Sequence, residues 1–82
     1  MTPDTILDEF AEIVFETTRL PKERVTLDQS FRDDLDIDSL SMVEIATAAE
    51  DKFGVSIPDD DLGKLKTVRD AVDYIAGATA KA

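Results

Sequence analysis

Three stretches of this chain repeat apolar side chains at the three- and four-residue spacing of a helix, and none alternates them as a paired strand would. The first stretch runs through Ile6, Phe10, Ile13, Val14 and Thr17. Thr2 precedes it as an N-cap, and Pro3 takes the first helical position, where no N–H is needed. The spacing predicts a helix over residues 3–18, closed before Pro21. The second stretch follows Asp38, a good N-cap, and runs from Ser39 to Phe53. Gly54 comes next and readily adopts the left-handed conformation that ends a helix. The third carries Val68, Ala71, Val72 and Ile75, with Thr67 and Asp70 spaced as a shortened capping box. Before it, Pro58 opens a short helix over residues 58–64. Asp59, Asp60 and Asp61 sit in its first turn, where the helix dipole favours acids. The expected fold is all-α: a small four-helix bundle with three main helices, one short helix and a long first loop.

A chain of 82 residues makes one domain, expected over 1–82 with a tail that frays from about residue 77. The loop over residues 19–37 is long for so small a bundle. Leu20, Val25, Leu27, Phe31, Leu35 and Ile37 are expected to pin it across the core, with a one-turn helix near Asp28–Arg32. The chain has no Cys, so disulfides, thiolates and Cys-based metal sites are out of reach. It shows no basic, apolar leader and no run long enough for a membrane span, which makes a soluble, cytoplasmic monomer the expectation.

The net charge is −10, and it is concentrated. Residues 28–61 hold eleven acids against two bases, while residues 62–82 hold four bases against two acids. Nucleic acid is a poor partner for such a surface, since binding it requires cations to neutralise phosphates. A basic protein surface suits it better.

The acidic stretch leads into a serine: "DLDIDSLSMVE", with Ser39 at the start of the second helix. On a helical wheel Met42, Ile45, Ala46, Ala49 and Phe53 form one apolar stripe, which must face the core. The opposite side carries Leu40, Val43, Glu44, Thr47 and Asp51, with Glu50 at its edge. An apolar pair ringed by acids has the character of a docking surface. Val43 is expected to pack against the short third helix, and Leu40 to stay exposed. The small residues Ala46 and Ala49, facing Ile57, Leu62, Leu65 and Ala71, suit close helix packing; they also suit an interior soft enough to admit an alkyl chain.

Ser39 is no self-sufficient nucleophile, because the chain has no His to act as its base, and Lys64 or Lys66 would serve poorly. Asp34, Asp36 and Asp38 copy the opening of a calcium loop. Ser39 then stands where that loop needs Gly, and Ile45 where it needs a bidentate Glu. No specific metal site is expected, only diffuse attraction of divalent cations. Asp59, Asp60 and Asp61 point in different directions around a helix and make no ligand set.

A serine at a helix start, in an acidic field and without its own base, reads as a substrate for another enzyme. Here the sequence resembles the acyl carrier proteins. The motif Asp-Ser-Leu stands as Asp38-Ser39-Leu40, within "SFRDDLDIDSLSMVEI" and ahead of "FGVSIPDDDL" and "KTVRDAVDYI". The likeness covers residues 5–76 and is greatest to discrete carriers of actinobacterial type II fatty-acid synthesis. The resemblance implies a non-catalytic carrier. A phosphopantetheinyl transferase would attach 4′-phosphopantetheine from coenzyme A to Ser39, and the arm's thiol would carry acyl chains as thioesters. It also implies that Asp38, Leu40, Val43, Glu44, Thr47, Glu50 and Asp51 meet fatty-acid synthase enzymes with basic docking patches. Two positions depart from the common pattern: Ser41 replaces an acid, and Asp36-Ile37 replaces a Gly-Ala type pair. A carrier for polyketide or peptide assembly, or an unmodified acidic binding module, are the alternative readings.

Overall fold

A computed structural model describes residues 2–80. Four α-helices account for most of them: α1 Pro3–Thr18, α2 Ser39–Phe53, α3 Asp59–Leu62 and α4 Val68–Ala80. The caps act where the sequence puts them. Thr2 Oγ1 accepts the Thr5 N–H at 3.3 Å. Asp38 Oδ1 accepts the Ser41 N–H at 2.8 Å. Thr67 Oγ1 accepts the Asp70 N–H, and the Asp70 carboxylate accepts the Thr67 N–H, each at 3.2 Å. At the C-terminal end of α2, Gly54 takes φ 67°. Arg19 does the same after α1, with its N–H donating to the Phe15 carbonyl at 2.8 Å. Helix α4 continues through Ala80, and the last two positions of the expected frayed tail, 81 and 82, lie outside the described residues.

Helix α1 packs against both α2 and α4. Ile6, Val14, Phe31, Ile45, Val68, Val72 and Ile75 are fully buried at that junction. Burying each such side chain contributes about 1.5–3 kcal/mol before conformational entropy is counted. The Phe10 and Phe31 rings meet at 5.9 Å with a 57° tilt, a favoured aromatic arrangement.

The long loop is pinned as its apolar residues suggest: Val25, Phe31, Leu35 and Ile37 are buried, Leu20 and Leu27 half-buried. Its local form differs from expectation. The one 3₁₀ turn among the described residues lies at Lys22–Arg24. Pro21 starts it by fixing φ at −58°, and its carbonyl accepts the Arg24 N–H at 3.0 Å. Near Asp28–Arg32 there is no helix, only a turn in which the Asp34 and Leu35 N–H groups both donate to the Ser30 carbonyl, at 3.2 and 3.0 Å. Residues 29–31 pair with the segment before α4 through an isolated antiparallel bridge, Ser30–Thr67, which takes the Gln29 carbonyl and the Phe31 N–H out of any local helix. Helix α3 is also shorter than residues 58–64. Beyond Leu62 the N–H groups of Lys64 and Leu65 reach back three residues, to Asp61 and Leu62, as in turns.

Candidate functional site

Ser39 is exposed and is the first residue of α2. Its place is fixed from behind. Ile37 is buried, and its N–H donates to the Phe31 carbonyl at 2.7 Å. Asp36 makes the preceding bend at φ 54°, in the left-handed region that Asp tolerates better than most residues. Asp38 then caps the helix, and the Ser41 N–H, followed by the Ser41 hydroxyl, holds its carboxyl below the ordinary value. Among the described residues the Ser39 hydroxyl has no hydrogen-bond partner, and the Ser39 and Leu40 N–H groups are likewise unclaimed. The first turn of α2 holds no acid, although acids dominate the sequence around it. An exposed hydroxyl thus stands at an open helix N-terminus, where an anion is favoured.

The outward face of α2 gathers with it. Leu40 is 71% and Val43 48% exposed, with Glu44, Thr47 and Asp51 exposed beside them. The Thr47 hydroxyl donates to the Val43 carbonyl at 2.9 Å, so its polar end is spent within the helix. Glu50 does not join this face. It is half-buried, and its Oε2 accepts the Ile57 N–H at 2.7 Å, which ties the segment before α3 to α2. Val43 lines a cleft toward α3 yet keeps nearly half its surface open, less covered than the sequence suggests.

That cleft, of about 510 Å³, opens beside Ser39 between residues 30–33, the start of α2, and α3. Met42, Val43, Leu62 and Leu65 give it an apolar floor, and Arg32, Asp33, Asp59 and Lys66 contribute charge. The sequence reading missed Arg32 and Lys66, since only the bridge beside Phe31 brings them to Ser39. The six residues assigned to a soft interior (Ala46, Ala49, Ile57, Leu62, Leu65 and Ala71) do converge. They surround a void of only about 10 Å³, too small for more than one water.

Helix α3 covers that interior and is held by Tyr74. Its hydroxyl lies 2.8 Å from Asp61 Oδ2 and 3.1 Å from the Ser56 carbonyl oxygen, donating between them. The Asp61 bond is the chief cause of a Tyr74 pKa raised above the ordinary value. Among the described residues, no three of His, Cys, Asp or Glu are grouped to hold a metal ion. No described helix is long and apolar enough to cross a membrane.

The family described as "Phosphopantetheine attachment site" matches residues 8–75, and this chain belongs to it. The acyl carrier protein of Acidothermus cellulolyticus is 56% identical over 82 residues, spanning 100% of this chain and 98% of its own. That of Beutenbergia cavernae is 65% identical over 75 residues, 92% of each chain. Among solved structures, the acyl carrier protein from Enterococcus faecalis aligns with a TM-score of 0.77 at 37% identity, covering 95% of this chain and 99% of that one. These relatives are carriers by name, not catalysts.

Proposed function

We propose that this chain is an acyl carrier of fatty-acid synthesis and that Ser39 is its attachment point for 4′-phosphopantetheine. One observation carries the reading. Ser39 offers an exposed, unbonded hydroxyl at an open helix N-terminus, in a chain of the phosphopantetheine family. The residues present fit the group. The unclaimed N–H groups of α2 suit its phosphodiester, and the neighbouring cleft suits the arm. When attached, the group supplies the thiol that the chain lacks, on which acyl chains travel as thioesters. The chain has no base for Ser39, so the transferase must supply the activation.

Asp38, Leu40, Val43, Glu44, Thr47 and Asp51 form the docking face for the transferase and for synthase enzymes with basic patches. Acids there raise association rates more than affinity, which suits a carrier that must leave each enzyme quickly. Glu50 serves the fold of that face. The interior bounded by Ala46, Ala49, Ile57, Leu62, Leu65 and Ala71 receives an acyl chain only when α3 moves away, because the void beneath it is so small. The working compartment is the cytoplasm, beside the partner enzymes.

Intact-mass spectrometry after incubation with coenzyme A and a promiscuous transferase tests this. One added phosphopantetheine, absent in Ser39→Ala, is expected. An unchanged mass on folded protein would overturn the carrier reading in favour of an unmodified binding module.

A further inference from the structure

Arg32 and Lys66 lie far apart in sequence, yet both line the cleft that opens beside Ser39. The backbone of Phe31 brings them together. Its N–H donates to the Lys66 carbonyl at 3.0 Å, and its carbonyl accepts the Ile37 N–H. The Val68 N–H donates to the Gln29 carbonyl at 3.0 Å, closing the same bridge from its other side. Phe31 is itself buried in the core. Three segments therefore meet at one anchored residue: those bearing Arg32 and Lys66, and the one leading through Asp38 into Ser39.

Both cations are uncommitted. Among the described residues the ion pairs are Lys22–Asp8, Lys52–Glu12 and Arg69–Asp28, and neither Arg32 nor Lys66 enters one. Asp33 and Asp59 share the cleft but pair with neither. Arg32 is one of only two bases among residues 28–61, which carry eleven acids. Two free cations beside the modified hydroxyl run against the sign of charge around them.

We propose that Arg32 and Lys66 hold the phosphodiester borne by Ser39, so that the arm lies along the cleft against Met42, Val43 and Leu62 and does not stand free in solvent. The inference rests on the carrier reading of Ser39. A phosphodiester keeps its negative charge throughout the physiological range and offers two free oxygens. Arg32 can meet both with its planar fork, and Lys66 adds a point charge. Exposed pairs of this kind are weak and screened by salt. Asp33 and Asp59 weaken the hold further. It is therefore loose enough for a partner's basic patch to compete for the phosphate and free the arm.

The test is phosphorus NMR relaxation of the protein loaded with phosphopantetheine, in wild type, Arg32→Gln, Lys66→Gln and the double variant. Lys64→Gln is the control, since Lys64 is an exposed cation that does not line the cleft. In the double variant the ratio of free to held arm should rise roughly two- to fivefold, seen as a narrower phosphorus line. Each single variant should fall between, and Lys64→Gln should match wild type. Raising salt to about 0.5 M should narrow the wild-type line and leave the double variant unchanged. Unaltered melting of the unloaded double variant would confirm that folding is not the cause. Equal linewidths and equal salt response in wild type and double variant would overturn the clamp alone. Failure to load Ser39 at all would overturn the carrier reading and the clamp with it.

Discussion

Helices α2 and α3 flank the same cleft, but they are built to different standards. Helix α2 has 15 residues, a carboxylate cap at one end, a left-handed glycine at the other and three buried side chains. Helix α3 has four residues, no side-chain cap and none buried. Side chains beyond its own ends hold it: Tyr74 through Asp61, and Glu50 through Ile57. A helix gains its stability mostly from the face it buries, so α2 is a fixed platform and α3 a movable cover. The contrast suits a carrier. Under the function proposed above, the hydroxyl and the outward face of α2 must keep their geometry for many enzymes, while the wall over the interior must yield.

The firmest way to break this contrast is by truncating one side chain in each helix. Ile45→Ala, at a fully buried site of α2, should cost about 2–4 kcal/mol in chemical denaturation. Leu62→Ala, at a half-buried site of α3, should cost only about 1 kcal/mol. Equal losses would mean that α3 is no looser than α2. Amide exchange sharpens the point without mutation. Leu62 and Gly63, bonded back to Pro58 and Asp59, should exchange on the order of a hundredfold faster than Ala49.

Charge reversal separates the two surfaces by function. Glu44→Lys on the outward face of α2 should slow association with a transferase about three- to tenfold at low salt, and Asp60→Lys on α3 should slow it less. Stopped-flow binding at two ionic strengths reads both. A larger effect from Asp60→Lys would move the docking face to α3.

The smallest effects come from pH, and the two helices respond at opposite ends. The Asp38 carboxyl titrates below its ordinary value of 3.8 when folded. Its capping contribution is complete above that value and is lost as pH falls through the lower folded one. The Tyr74 phenol titrates above its ordinary 10.0. Its contribution is complete below that value and is lost as pH rises through the higher folded one. Asp38→Asn, which keeps a capping oxygen, should flatten the acid limb of the melting profile. Tyr74→Phe should flatten the alkaline limb.

All four helices were legible in sequence, the short cover without its end. Helices α1 and α2 match their expected limits and α4 its expected start, because caps and apolar spacing act locally. The short α3 was read in place, but its early end at Leu62 was not, and the turn expected near Asp28–Arg32 gave way to the Ser30–Thr67 bridge, a pairing that no local pattern announces. Glu50 looked like a surface acid on the wheel, since a wheel cannot show that the next loop turns its Ile57 N–H toward it. Ser39 and the acids around it were legible; Arg32 and Lys66 were not, because no local pattern links positions that meet only through Phe31.

The central claim is that one hydroxyl is open to modification and its neighbour is not. Ser41 stands two residues from Ser39 but is half-buried, with its N–H engaged by Asp38. Tandem mass spectrometry of the loaded protein, with fragmentation across residues 38–42, tests the claim directly. The phosphopantetheine should sit wholly on Ser39; finding it on Ser41 or on any serine elsewhere in the chain would contradict the account.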